Sequence, residues 1–207
     1  MNALKFPNEE RRSFANPVEM RSDSQYFGGL GALYYDGTPE TQATLWEGMI
    51  ERFYPGTFDE FLKSTDDCFC SFDHDIDGLL ARRSSGSLTI ESVAKGLEYR
   101  AKYDASDPDH QRVFSKIKRG DVRGSSIIFR VLPDGDDFSM EKGVYIRHIR
   151  KAWLMDIGPT HKPVYEGTTA EPRSVGTASQ QQELIARARK ALLLPPLEIE
   201  LWTKRGR

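Results

Sequence analysis

Residues 120–130 place the strongest constraint on the fold, because a glycine there separates a helix-like segment from a run of β-branched residues. The segment before Gly120 starts with Asp107 and a proline, a pattern typical of a helix N-cap and first turn, and it ends in basic residues. Glycine is the usual residue just past a helix end. After it, apolar residues alternate with period two, which is typical of a strand. The sequence therefore predicts a helix over residues 107–119 followed directly by a strand.

Two serines in this predicted strand lie on opposite faces. Ser125 shares its face with Ile127 and Phe129, which belong to the more continuous apolar stripe. Ser126 lies on the other face beside Gly124, and a glycine leaves room there for an approaching substrate backbone. Paired serines in a strand more often form structural hydrogen bonds or face solvent, so this stretch alone makes Ser126 a candidate nucleophile and no more.

Strand-like segments dominate the rest of the chain, and glycine and polar turns separate them, a pattern typical of antiparallel sheets. Closing such a sheet would remove its exposed edges. The sequence thus predicts a mainly β protein with a few helices (α+β), built as a closed or nearly closed antiparallel β-barrel. A short helix is predicted after Tyr54, begun at Pro55 or capped by Thr57, and residues 133–137 are predicted to form an acidic loop. The strand-like segments are residues 26–35, 44–53, 68–75, 78–91, 96–103, 143–150 and 151–158.

The composition excludes several classes of protein. A chain of 207 residues suits one globular domain with appendages, and its formal net charge of -2 gives no general argument for binding nucleic acid. No apolar run reaches the roughly 18 to 20 residues needed to cross a bilayer, and no signal-peptide-like apolar region opens the chain. We therefore expect a cytosolic protein without a membrane partner or a specific nucleic-acid partner.

Changes in composition divide the chain into three predicted parts. Residues 1–12 are polar and charged, and we expect this segment to be flexible. Residues 13–173 form the predicted domain, although linker-like composition begins at residue 168. Residues 174–207 contain the end of the linker, a helix predicted over 180–194 and a basic tail, which on composition alone is a solvated extension.

Cys68 and Cys70 are the only two cysteines of the chain. As alternate residues of one predicted strand they are poorly placed to form a disulfide with each other, so we expect packed, reduced thiols. His74 shares their predicted face, but two thiols and one imidazole on a single strand are a weak ligand set for zinc. The sequence therefore predicts no metal site.

A histidine and an aspartate stand where they could support a nucleophile. His74 ends its predicted strand between two aspartates; it is either a solvated turn residue or a base that accepts a hydroxyl proton. Asp156 lies in an apolar segment, where a carboxylate must accept hydrogen bonds or orient a partner such as a histidine. His148 and His161 are alternative partners for Asp156. His110, in the first turn of a helix, is expected at the surface.

Five groups of residues match a known family together and in that family's order. They are ERFYPGTFD at 51–59, FDHD at 72–75 with LARRSSGSL at 80–88, KGLEY at 95–99, GDVRGSSIIF at 120–129 and LMDIG at 154–158. Over roughly residues 12–173 the chain resembles the tailed-phage prohead (capsid maturation) protease family, whose fold is related to the herpesvirus assemblin serine proteases. The resemblance implies an assemblin-like barrel.

The same resemblance implies a serine endopeptidase that needs no metal or organic cofactor. By position, His74 falls on the general base and Ser126 on the nucleophile, the serine that strand alternation also selects. Asp156 falls on the acidic residue that orients His74, where the family usually has glutamate. Gly158 stands where a serine is common, and Ile128 replaces a frequent glycine.

The implied substrates are the scaffolding segments of capsid subunits and the protease's own terminal segments. Cleavage would take place in the bacterial host cytoplasm, inside the assembling prohead, and the tail beyond residue 173 would be a removable targeting segment. A homo-oligomer is compatible with this role. The alternative is a non-catalytic capsid-assembly or scaffolding protein that retains the protease-like barrel. A small β-barrel binding domain is a third interpretation, which explains none of the matching motifs.

Overall fold

The computed structural model describes residues 8–15, 18–20, 25–161 and 178–194. This part of the chain is mainly β with few helices, as the sequence predicts, and none of its helices is long and apolar enough to cross a membrane. Its three α-helices are α1 (Asp59–Lys63), α2 (Pro108–Arg119) and α3 (Ala178–Ala191). Its thirteen strands are β1 (Glu10–Phe14), β2 (Glu19–Met20), β3 (Tyr26–Leu33), β4 (Ala43–Trp46), β5 (Met49–Phe53), β6 (Phe69–Ser71), β7 (Leu79–Arg82), β8 (Leu88–Val93), β9 (Gly96–Lys102), β10 (Gly124–Val131), β11 (Asp136–Glu141), β12 (Val144–Ile149) and β13 (Ala152–Thr160).

Hydrogen bonds group the described strands into three sheets. One has the order β1-β10-β13-β6-β7, the second β11-β12-β5-β4 and the third β2-β3-β9-β8. Each order runs from one edge strand to another, so the closed barrel stays a prediction. The pairs β5 with β12 and β6 with β13 are parallel, whereas the sequence predicted an antiparallel barrel. Parallel pairs join segments that are distant in the chain, and alternation along a strand does not reveal its partner.

Helix α2 forms where its predicted end signals stand. The Asp107 carboxylate accepts hydrogen bonds from the amides of Asp109 (2.8 Å) and His110 (3.4 Å), as an N-cap does. Gly120 ends the helix at a φ of 77°, a left-handed conformation that glycine adopts without a Cβ penalty. The chain then enters β10, which pairs with β1 on one side and β13 on the other. The predicted serine strand is therefore inside a sheet.

Turns interrupt strand segments that were predicted to be continuous. Residues 44–53 form the hairpin of β4 and β5, which turns at Gly48 with a φ of 89°. Residues 78–91 contain two strands, β7 and β8, and β11 begins at Asp136 within the predicted acidic loop. Glycine and polar residues fit both a loop and an exposed strand, so these boundaries were wrong.

The short helix α1 also begins later than predicted. Its first residue is Asp59, and neither Pro55 nor Thr57 starts it. The Thr57 hydroxyl instead donates to the carbonyl of Ile149 at 2.8 Å. Its oxygen accepts from the Tyr54 amide at 3.1 Å, so it closes the turn before α1, and the Ile149 partner is invisible in local sequence.

The structure describes some residues of both predicted terminal parts, 1–12 and 174–207. Strand β1 begins at Glu10, so three residues of the segment predicted as flexible, 1–12, pair in a sheet. Helix α3 starts at Ala178 and ends at Ala191, near the predicted 180–194. The linker predicted over residues 168–179 lies outside the described residues up to 177, and its last two residues are the first two of α3. The division into three parts stays a prediction.

A glycine lets β3 pack closely on the sheet that contains β10. A Cβ at Gly31 would lie 2.3 Å from Ile157 Cδ1 and 3.2 Å from Ile127 Cγ2, so only glycine fits there without a shift. Ile127 and Ile157 are fully buried and belong to the main hydrophobic core. This core covers the face of β10 opposite Ser126.

A buried ion network joins β1 to the second sheet. Arg12 of β1 donates to both carboxylate oxygens of Glu51 on β5, at 2.6 and 2.9 Å. Arg147 of β12 donates to Glu51 at 3.0 Å and to both oxygens of Glu10, at 2.6 and 2.9 Å. Its Nε donates to Asp136 at 2.7 Å. Strand β1 is thus fixed by ion pairs as well as by its pairing with β10.

We expect Glu10 to make the protein sensitive to acid. Burial disfavours its charge, but the attraction and hydrogen bonds of Arg12 and Arg147 outweigh burial and lower its pKa from 4.5 to about 2. A carboxylate with a lowered pKa stabilises the fold above its unfolded pKa, and that stabilisation is lost as pH falls from 4.5 through 2. The free energy of unfolding of wild type, measured with urea, should fall by about 2 to 3 kcal/mol over this pH range because of Glu10. The unfolding free energy should depend less steeply on pH in Glu10→Gln, and an equal dependence would contradict the lowered pKa of Glu10.

The C-terminal helix packs on the second sheet. Leu184 and Ala188 of α3 join a separate hydrophobic cluster with Ala43, Leu45 and Met49 of β4 and β5. Arg187 donates to Asp136 at 2.5 Å, so α3 also contacts the buried ion network. The predicted helix of the tail is therefore docked through both apolar and charged contacts.

Candidate active site

Ser126 lies at the centre of a ladder of three strands. It pairs with Ser13 of β1 on one side and with Gly158 of β13 on the other, and only 3% of its surface is exposed. Ser125 is fully buried and lies within hydrogen-bond distance of the Tyr99 hydroxyl, at 3.2 Å. The two serines therefore have different partners, as expected of residues on opposite faces of a strand.

His74 sits on a turn and not on a strand. Strand β6 ends at Ser71, and a single 3-10 turn over Phe72–His74 follows, in which Asp73 and His74 have φ of 55° and 57°. The prediction that His74 shares a strand face with Cys70 is therefore wrong. Left-handed residues reverse the chain, and this reversal points the imidazole towards β10 and β13.

The structure brings the three predicted site residues together. His74 Nε2 lies 2.7 Å from Ser126 Oγ, and His74 Nδ1 lies 3.0 Å from Asp156 Oδ1. All three residues are at least 95% buried. A carboxylate can only accept, so Nδ1 carries the proton and Nε2 accepts from the serine. The arrangement is a continuous hydrogen-bond chain from hydroxyl to imidazole to carboxylate.

The Ser126 hydroxyl has two further neighbours, both on β1. Ser13 Oγ donates to it at 2.9 Å, and the Arg12 carbonyl lies 3.0 Å away as a second acceptor for its proton. The distance to His74 Nε2 is the shorter of the two acceptor distances. Sequence reasoning missed Ser13, because the contact follows from the register of β1 on β10 and has no local signal.

A sequence comparison identifies the family of this chain. The sequence model described as caudovirus prohead serine protease matches residues 34–183, which is most of the chain and includes His74, Ser126 and Asp156. The chain belongs to this prohead serine protease family. Neither curated proteins nor solved structures give a significant match. Strand β1, which contacts Ser126, precedes the matched residues.

Gly158 permits a close contact between β13 and β6 in this member of the prohead protease family. A Cβ at Gly158 would lie 2.4 Å from the Ser71 carbonyl oxygen, so any side chain there would push the strands apart. Ser71 precedes the His74 turn, and its amide donates to Asp156 at 3.4 Å. The missing Cβ at 158 therefore keeps β6, and the His74 turn that follows it, close to β13, which carries Asp156.

We expect Gly158→Ala to separate His74 from Asp156. The added methyl group meets backbone, which yields poorly, so the variant should lose about 1 to 3 kcal/mol of stability and most of its peptidase rate. Gly143→Ala is the control for activity: nothing lies within 4 Å of its added Cβ, and its φ of 83° strains an alanine, so it should lose stability but keep the wild-type rate. Thermal unfolding and peptide hydrolysis measure the two effects. Wild-type activity in Gly158→Ala would show that the close contact is not required.

The other three histidines have partners outside this chain of hydrogen bonds. His148 contacts Tyr54 Oη at 2.7 Å and Ser139 Oγ at 2.8 Å, and burial lowers its pKa. His161 bonds to Asp73. His110 is 5% exposed, and its Nε2 contacts the Leu80 carbonyl at 2.6 Å. The prediction of His110 at the surface is therefore wrong, because the first turn of α2 packs against the sheet.

Both cysteines are free, fully buried thiols, as the sequence predicts. Burial raises the pKa of the Cys68 and Cys70 thiols well above the ordinary value, so both stay protonated at neutral pH. Within residues 8–15, 18–20, 25–161 and 178–194, no group of three or more histidine, cysteine, aspartate or glutamate side chains is arranged to hold a metal ion. These thiols are packing residues of the core.

A cavity of about 490 Å³ lies beside the His74 turn. Phe72 and Val122 provide apolar walls, and charged groups of both signs surround them. Lys116 of α2 lies 4.9 Å above the Phe72 ring, at cation–π distance. The remaining residues that line it include Asp73, Asp75, Asp77, Arg112, Asp121 and His161. The cavity is therefore lined by apolar and charged groups together.

Proposed function

We propose that this chain is a serine endopeptidase that cleaves capsid scaffolding segments during prohead maturation. The observation that carries the proposal is the hydrogen-bond chain through Ser126 Oγ, His74 and Asp156, at 2.7 and 3.0 Å. Membership of the prohead serine protease family supports the same chemistry. Ser126 is the nucleophile, His74 the general base and Asp156 the residue that orients His74.

The proposed cycle has two stages, acylation and deacylation, and His74 takes up and returns one proton in each. His74 Nε2 takes the Ser126 proton as Oγ attacks the peptide carbonyl, and it returns that proton to the leaving amine. A water molecule then attacks the acyl group in the same way, giving the product acid and restoring the Ser126 hydroxyl. Every step uses side chains of this chain, so the proposed mechanism includes no metal or organic cofactor.

Asp156 fixes the useful tautomer of His74. Its Oδ1 accepts from Nδ1, which leaves the Nε2 lone pair directed at Ser126 Oγ. Asp156 is fully buried, and away from water its attraction for the imidazolium formed during attack is stronger than it would be in water. The carboxylate therefore both orients the base and stabilises its charged form.

The proposed substrates are capsid-protein scaffolding segments and the chain's own terminal segments. Cleavage inside the assembling prohead, in the host cytoplasm, follows from the family's role, and the segment beyond residue 173 is the proposed removable tail. The cavity beside His74 is the proposed site for a substrate side chain. Closure of the three sheets into an assemblin-like barrel and assembly of a homo-oligomer belong to the same proposal.

The proposal is tested by labelling and by cleavage. A fluorophosphonate should acylate wild type at Ser126, as found by peptide mapping, and should not label Ser126→Ala. Wild type incubated with the capsid protein precursor should release its scaffolding segment, and the chain itself should shorten in parallel. A folded wild type that neither reacts with the probe nor cleaves the precursor supports the non-catalytic capsid-assembly protein instead.

A further inference from the structure

The turn that presents His74 is strained. Asp73 and His74 both have positive φ, 55° and 57°, and neither is glycine. A residue held in the left-handed region persists only where surrounding contacts fix it. Aspartate tolerates this region better than most residues, but tolerance alone does not select one orientation of the next side chain. The contacts of Asp73 therefore decide where the His74 imidazole points.

The Asp73 carboxylate ties this turn to the end of β13. Its Oδ1 accepts from the Thr160 hydroxyl at 2.6 Å and from the His161 amide at 3.1 Å. Its Oδ2 bonds to His161 Nδ1. The Asp73 side chain is only 11% exposed and Thr160 is 4% exposed, so the bond between them is shielded from water, whereas the His161 side chain is 42% exposed. One carboxylate thus makes three contacts with two consecutive residues.

The three hydrogen bonds of Asp73, which we call the Asp73 tether, end beside the strands that carry Ser126 and Asp156. Thr160 is the last residue of β13, four residues after Asp156, and it pairs with Gly124, two residues before Ser126 on β10. The tether therefore fixes the His74 turn against the same two strands that carry its partners. We propose that Asp73 is a positioning residue of the active site, which holds the His74 imidazole between Ser126 and Asp156. The proposal rests on the proposed function and adds a residue on which it depends.

The turn also has restraints that do not involve the Asp73 side chain: the Asp75 amide donates to the Phe72 carbonyl at 3.1 Å, and the Phe72 ring stacks on His161 with the ring centroids 5.9 Å apart. The Ser71 amide contacts Asp156 at 3.4 Å, which is a long hydrogen bond. The hydrogen bonds of His74 to Ser126 and Asp156 result from the position of its ring, so they do not explain that position. A displacement of about 1 Å in a catalytic group costs on the order of 100-fold in rate. Loss of the Asp73 tether should therefore appear mainly in the chemical step.

Asp73→Gly is the informative variant, because glycine keeps the positive φ without strain and removes all three hydrogen bonds. Its kcat and its rate of acylation by a small fluorophosphonate should each fall about 100-fold. The acylation rate is the decisive measurement, because Asp73 also lines the cavity proposed for a substrate side chain and its loss affects KM as well. Asp73→Asn should recover most of this rate, since its amide oxygen still accepts from Thr160 and from the His161 amide. Asp134→Gly is the matched control: Asp134 has a φ of 54° in an exposed turn away from the site.

A spectroscopic measurement separates positioning from folding. The Nδ1 proton of His74 should give a downfield imidazole NMR signal that is absent from His74→Ala. This signal should vanish in Asp73→Gly and persist in Asp73→Asn and Asp134→Gly, while circular dichroism shows all three folded. If Asp73→Gly does not fold, Thr160→Val removes the 2.6 Å bond and leaves the His161 contacts of Asp73 in place, so it should give the same losses in smaller measure.

The outcomes distinguish this proposal from the proposed function. If wild type acylates at Ser126 and Asp73→Gly acylates equally fast, Asp73 has no positioning role although the protease assignment stands. If wild type does not react, the protease assignment fails, and the His74 signal still reports whether Asp73 holds the ring. A signal that survives in both Asp73→Gly and Thr160→Val overturns the proposal.

Discussion

Ser126→Ala and His74→Ala should each lower the rate of peptide cleavage by about 10⁴ to 10⁶-fold, because members of such a hydrogen-bonded unit act together and removing one disables the others. Ser126 Oγ and His74 Nε2 are already 2.7 Å apart, so no rearrangement is needed to begin proton transfer. The measurement is kcat/KM on a peptide from the capsid precursor. The double variant should be no slower than either single variant.

Two further variants are controls on this assignment. Ser125→Ala should cost far less, because Ser125 Oγ contacts the buried Tyr99 hydroxyl and not the histidine. Asp156→Asn should keep the fold and lower kcat by about 10⁴-fold, since an amide favours the wrong imidazole tautomer. If Ser125→Ala is inactive and Ser126→Ala active, the strand register assigned to the nucleophile is wrong. If both are active, β10 is not the catalytic strand.

The sequence was informative about the site where side-chain alternation and local motifs decide position. Alternation along residues 122–131 placed Ser125 and Ser126 on opposite faces, and the structure gives them separate partners. The carboxylate of Asp156 in an apolar segment indicated a hydrogen-bonded or orienting role, and its partner is His74. The end signals of α2 were also predicted, because a cap and a left-handed glycine act within one turn.

What the sequence did not reveal depends on partners distant in the chain. A strand was predicted through His74, but the chain leaves β6 at Ser71 in a strained turn that contacts with Thr160 and His161 support. The burial of His110 and the contact of Ser13 with Ser126 likewise arise only when separate segments meet. Polar residues look alike in sequence whether they face water or a buried partner.

The buried ion network gives the largest expected effect on stability. Glu51 is fully buried and accepts from Arg12 and Arg147, which are 3% and 1% exposed. Glu51→Gln should lower the free energy of unfolding by about 3 to 5 kcal/mol, because it leaves two buried guanidinium groups with less compensating charge. The measurement is urea unfolding at pH 7 and low salt.

Glu141→Gln is the matched control for this variant. Glu141 also accepts both hydrogen bonds of an arginine, Arg52, at 2.7 and 2.9 Å, but 52% of its side chain is exposed. Water screens that pair, so its loss should cost only about 0 to 1 kcal/mol. Because Arg12 also presents its carbonyl to Ser126, Glu51→Gln should loosen β1 over the nucleophile as well as destabilise the fold. Equal losses in Glu51→Gln and Glu141→Gln would show that burial does not set the strength of the network.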